Sequence, residues 1–98
     1  VKLDVIIEAD AKTDLKSATD WYNKQLDGLG LEFLVAVEAA LSGLELNPER
    51  FQKIFKEIRR APVDRFPFGI FYIISNLKVY VIAFMHYKRS PGDWIARY

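Results

Sequence analysis

Apolar and polar positions alternate at the start of the chain. Leu3, Val5 and Ile7 are interleaved with Lys2, Asp4, Ile6 and Glu8, a period of two that predicts a short first strand. The period then lengthens. From about Asp10 to Asp27, Ala11, Leu15, Ala18, Tyr22 and Leu26 recur at spacings of three and four, which gathers them into one stripe of a helix. Gly28 is expected to end that helix, because glycine enters the left-handed conformation that a helix C-terminus often needs. The run Gly28-Leu29-Gly30 makes a tight link to a second helix over about 31–46, with the stripe Phe33 or Leu34, Val37, Leu41 and Leu44, and Asn47-Pro48 stops it. Two helices joined so closely form an antiparallel hairpin.

Beyond Pro48 the pattern becomes that of strands. Residues 51–61, 65–75 and 78–87 read as three of them, the last two rich in aromatic and β-branched side chains, with Ser75-Asn76-Leu77 as a hairpin connection. The predicted fold is α+β: a helical hairpin on a four-stranded, mainly antiparallel sheet in the order β-α-α-β-β-β, with a short C-terminal tail after Pro91-Gly92. One domain covers residues 1–98. In the third strand Phe66, Phe68, Ile70, Tyr72 and Ile74 face one way and Phe71 and Ile73 the other. In the fourth, Val79, Val81, Ala83 and Met85 are set opposite Tyr80, Ile82 and Phe84. Both faces are therefore apolar, whereas a hairpin of helices covers only one. The second face needs a cover: the chain's own tail, a second copy, or a partner segment. Trp94 is read first as an anchor that packs the tail on the sheet.

The composition is 51% hydrophobic and 28% charged, that of an ordinary globular domain. No apolar run approaches the roughly 20 residues of a membrane helix, and the first ten residues lack a signal-peptide pattern, so a cytoplasmic setting is the expectation. The chain has no cysteine, which excludes disulfides, thiolate zinc sites and cysteine nucleophiles. The net charge is only +1, but it is unevenly spread. Residues 1–49 carry four lysines against ten acids, and residues 50–98 carry ten cations against three acids. This leaves an acidic helical half and a basic strand half, suited to an anionic partner or to pairing with each other.

The stretch His86-Tyr87-Lys88-Arg89-Ser90-Pro91-Gly92-Asp93-Trp94 collects the chain's single histidine with several cations. One histidine without cysteines makes a metal site unsupported, no phosphate-loop or nucleophile-elbow motif occurs, and no cofactor is implied. Asp10 and Asp14 read as a solvated helix start that complements the dipole. A metal-independent ribonuclease needs only a base, an acid and cations for the phosphorane charge, and His86, Tyr87 and Lys88 beside Arg59, Arg60 and Arg65 supply such groups. The same cations suit direct contact with nucleic-acid phosphates, though no motif specifies it.

Ala11, Asp14-Leu15, Ala18, Trp21-Tyr22, Gly28-Leu29-Gly30, Phe33, Val37-Glu38, Leu41, Leu44 and Asn47-Pro48, followed by residues 58–72 and 81–97, form a pattern that closely resembles toxins of the RelE/ParE superfamily, ParE-like branch. The resemblance implies a toxin of a bacterial type II toxin-antitoxin module of the plasmid-stabilisation kind, neutralised by a ParD-like antitoxin wrapped around it. RelE-like members cleave messenger RNA on the ribosome, with an arginine where this chain has Gly69 and a C-terminal tyrosine where it has Trp94. ParE-like members lack those groups and poison DNA gyrase by binding. The resemblance thus implies a gyrase-binding toxin that is not itself an enzyme. Its functional surface would be formed or supported by Arg59, Arg60, Arg65, His86, Arg89, Trp94 and Arg97, with the antitoxin on Phe71, Ile73, Tyr80, Ile82 and Phe84. Two alternatives stay open: a ribosome-dependent ribonuclease using His86, Tyr87 and Lys88, and a degenerate member that keeps only antitoxin binding.

Overall fold

The computed structural model describes residues 2–98. Its elements are β1 (Asp4–Ile7), α1 (Ala9–Gln25), α2 (Leu29–Leu46), β2 (Lys53–Phe55), β3 (Ile58–Val63), β4 (Phe66–Ser75), β5 (Lys78–His86) and a short α3 (Pro91–Ile95). The sheet has five strands in the order β1-β5-β4-β3-β2, and only the β1–β5 pair is parallel. This corrects the expected four strands. The segment expected as one strand over 51–61 is folded back on itself at Lys56-Glu57, where Lys56 takes φ 49° and pairs through its neighbours with Ile58 opposite Phe55. No glycine or asparagine marks that turn; a lysine in the left-handed region replaces it, and Lys53 meets Glu57 at 3.1 Å across the bend. The β4–β5 hairpin turns as expected, through Asn76 and Leu77, both at positive φ as a two-residue turn between twisted strands requires.

The helical hairpin forms on its predicted stripes. Ala11, Ala18 and Tyr22 of α1 and Phe33, Val37 and Leu44 of α2 are buried against Ile70, Tyr72, Val79 and Val81 of the sheet. The link between the helices differs from expectation. α1 stops at Gln25, Leu26 is extended and exposed, and Gly28 instead precedes α2, at φ 87°. Asn23 near the end of α1 accepts the Gly30 N–H at 2.8 Å, so the first helix satisfies a free donor of the second. Tyr22, Phe33, Phe66 and Phe68 interlock with ring centroids 5.0–5.9 Å apart, mostly edge to face, fastening the hairpin to the start of β4.

A bulge in β5 changes which side chains share a face. Phe71 pairs with Ala83 but Tyr72 with Val81, so Ile82 is an extra residue and the alternation slips by one. Phe84 therefore turns to the helix side with Val79 and Val81, while Ala83 and Met85 join Phe71 and Ile82 on the other. The expected grouping, with Phe84 opposite Val79 and with Ala83 and Met85 beside it, is corrected accordingly. On the second face Ile58, Phe71, Ile82, Ala83 and Met85 are buried under Trp94, whose ring stacks on Phe71 at 4.9 Å and 23°. The cover is the chain's own tail.

Candidate functional site

The segment after β5 splits between the two faces of the sheet. His86 pairs with Phe68 and lies edge-on to its ring at 5.5 Å, on the helix side. The Lys88 N–H donates to His86 Nδ1 at 3.0 Å, which leaves the proton of the neutral ring on Nε2. Tyr87 follows on the opposite face, its N–H donating to the Pro67 carbonyl at 2.9 Å. The Arg60 guanidinium sits over the Tyr87 ring, 5.2 Å from its centroid. To reach it from β3, the stem of Arg60 crosses β4 above Gly69: a Cβ at Gly69 would lie 2.8 Å from both Arg60 Cγ and Cδ. The glycine is the gap through which the arginine passes.

Beside His86, α1 and the end of β5 enclose a groove of about 670 Å³, lined mainly by apolar groups from Trp21, Tyr22, Phe68 and Phe84, with His86 and Arg89 at its rim. Trp21 is 57% exposed and edge-on to Tyr22, so it forms a wall of the groove instead of joining the core. Sequence reasoning passed over it as a site residue. The available signal was a large aromatic lying off the apolar stripe of α1. Arg89 is held by Asp93 at 2.9 Å, an exposed pair that contributes little stability but orients the side chain.

Arg97 and Asp14 form the best-buried ion pair. Arg97 Nη2 donates to Asp14 Oδ1 at 3.0 Å, Nη1 meets Asp14 Oδ2, and Nη1 also donates to the Ile82 carbonyl at 3.1 Å. Asp14 Oδ2 in turn accepts the Phe84 N–H at 3.1 Å. The pair therefore satisfies backbone groups of the bulged Ile82 and of Phe84, on the stretch of β5 that β1 is too short to cover. Asp14 is not the solvated helix-start acid expected. The hydrogen bond to its carboxylate raises the Arg97 guanidinium above its ordinary value, against the effect of burial. Arg59 is likewise turned inward: its Nη1 donates to the Phe51 carbonyl at 2.6 Å, and the Tyr72 hydroxyl beside it donates to the Pro48 carbonyl at 2.6 Å, tying down the loop between α2 and β2. Burial pushes the Tyr72 phenol up to about 12, with Arg59 acting in the opposite sense.

The seven cationic and aromatic residues expected at a target surface are thus dispersed. Arg60, His86 and Arg89 are near the end of β5, with His86 and Arg60 on opposite faces. Arg65 stands apart at the β3–β4 turn, 3.7 Å from Glu32 of α2, and Arg59, Trp94 and Arg97 hold the fold together. Of the five residues expected to meet an antitoxin, Phe71, Ile82 and Phe84 are buried within the chain, while Ile73 and Tyr80 are half-buried. Among the described residues no three His, Cys, Asp or Glu side chains converge as metal ligands, and no helix is long and apolar enough to cross a membrane.

Among solved structures, the chain is similar to one described as the chromosomal ParDE toxin-antitoxin system from P. aeruginosa. It has 12% identity and a TM-score of 0.77, over 87% of this chain and 96% of that one, a likeness of fold. No curated protein matches the chain. The family model described as the ParE toxin of the type II toxin-antitoxin system parDE matches residues 5–91, from β1 through the start of α3. With the helical hairpin, the sheet and the His86–Arg89 segment all inside that match, the chain belongs to the ParE toxin family of type II toxin-antitoxin systems.

Proposed function

We propose that the chain is a bacterial cytoplasmic toxin that inhibits DNA gyrase by binding it and is held inactive by a ParD-like antitoxin. The observation that carries this reading is Gly69. Where the messenger-cleaving relatives carry an arginine, the Arg60 stem occupies the space above the glycine. Trp94, in place of a general-base tyrosine, is stacked face-on against Phe71. His86 and Tyr87, the remaining acid-base pair, point to opposite faces of the sheet, so they cannot flank one phosphate. A toxin with this arrangement acts by occupying a target. The purified protein is expected to inhibit supercoiling by bacterial gyrase or to trap its cleavage complexes, with reversal by the antitoxin. Growth arrest in cells with unaffected supercoiling by several gyrases would overturn the target.

The antitoxin is assigned to the groove beside Trp21 rather than to the strand face that Trp94 covers. The groove is mainly apolar with the Arg89 guanidinium at its rim, which suits an amphipathic segment that brings an acid to that end. Trp21→Asp is expected to weaken antitoxin binding by about 30-fold, as loss of an aromatic anchor does, while leaving the melting temperature nearly unchanged because the ring is mostly exposed. Titration calorimetry with the antitoxin checks this, and unchanged affinity would place the antitoxin elsewhere.

A further inference from the structure

The face of the sheet opposite the helices is sealed in its middle by Trp94 and Ile95 but not at its margins. At one margin Tyr87 lies under the Arg60 guanidinium. At the other, Tyr98 sits beside Ile73 and Ile82 in a hollow also lined by Glu8, Asp10 and Arg97, and on the Lys56 side that cation reaches over its ring at 5.7 Å. Both tyrosines are about half exposed, 45% and 51%. Among the described residues, Lys56 and Arg60 make no ion pair with a carboxylate, nor does Lys88 next to Tyr87. Unpaired cations are thus held beside accessible aromatic rings, and the protein makes room for one of them by placing Gly69 beneath the Arg60 stem.

We infer that this face binds single-stranded nucleic acid, with bases stacking on Tyr87 and Tyr98 and phosphates meeting Arg60, Lys56 and Lys88. The chemistry follows from the pairing of groups. An accessible ring offers a stacking surface to any unpaired base, and a neighbouring cation neutralises the phosphate that accompanies it. Ten of the thirteen acids lie in residues 1–49 and ten of the fourteen lysines and arginines in residues 50–98, so an anionic strand is drawn to the strand half. A duplex is not the fitting partner. Its bases are already stacked, and a sheet face bridged by a short helix presents no element shaped for a groove. The inference is independent of the gyrase reading: either can fail without the other.

The test is fluorescence anisotropy of the full chain with labelled oligouridine, oligothymidine and a short DNA duplex, at about 50 and about 200 mM salt. Single strands are expected to bind more tightly than the duplex. Tyr87→Ala and Tyr98→Ala are each expected to weaken single-strand binding about tenfold, and Tyr87→Phe to retain it. Arg60→Ala should reduce the salt slope by about one. Tyrosine-dependent binding of either oligonucleotide supports the inference, and the preference between them says whether RNA or DNA is the strand taken. Absence of binding at the lower salt overturns it. So does binding that the tyrosine variants leave intact, or that the duplex matches, since either result reduces the face to non-specific charge.

Discussion

Replacing Trp94 by alanine is expected to lower the thermal midpoint by about 15 °C, the effect of about 3 kcal/mol in a domain of this size. The indole is buried, stacks on Phe71, and shields Ile82, Ala83 and Met85 as well. Removing it both loses the transfer energy of the ring and opens an apolar sheet face to water. Thermal unfolding followed by circular dichroism reads the shift, and a hydrophobic dye that brightens on the folded variant reads the uncovered face. A midpoint within a few degrees of the parent, with no dye binding, would show that the tail does not seal the sheet. Phe71 is buried beneath the same indole, so a charge placed there would strike the core and not a partner surface.

The second large effect belongs to Asp14. Asp14→Ala leaves the Arg97 guanidinium largely buried without its carboxylate and the Phe84 N–H without its acceptor, and is expected to destabilise the fold by about 2 to 3 kcal/mol. Asp14→Asn, which keeps an acceptor for Phe84 but not the charge, should cost less. Chemical denaturation of Asp14→Ala, Arg97→Ala and the double variant completes a cycle. A coupling energy of about 1 kcal/mol or more is expected from groups in direct contact, and strictly additive effects would show that the pair is incidental.

The helices were legible because their faces are unequal. Ala11, Ala18 and Tyr22 of α1 stand among polar neighbours, so a period near 3.6 is visible there; α2 is mostly apolar, and its stripe of Phe33, Val37 and Leu44 is set off by Glu32, Glu38, Ser42 and Glu45 on the other side. The sheet was only partly legible. From Val79 to Met85 every residue is apolar, so a one-residue slip leaves no polar residue on the wrong side to reveal it, and the bulge at Ile82 passed unseen. The extra strand was hidden for a different reason: its turn uses Lys56, and left-handed lysines are too uncommon to be expected. The site suffered from distance along the chain. Asp14 and Arg97 are 83 positions apart, and neither has a local neighbour that announces the other. A cationic residue near a terminus therefore reads as surface charge when it is the tie that closes a backbone edge. Trp94, by contrast, was readable as an anchor, since a lone indole after Pro91-Gly92 faces an apolar sheet in need of cover.

The tie between Arg97 and the Ile82 carbonyl also sets an order of events during synthesis. All five strands and both long helices leave the ribosome before Trp94 and Arg97 do, yet the far side of the sheet and the bulged edge of β5 close only when those two residues arrive. Until then the nascent chain carries an open apolar surface and a strand edge with unanswered backbone groups, the two features that invite association with another chain. The groove beside Trp21 shares the Phe84 and Asp14 wall that the tail braces, so its final shape is also among the last things to form.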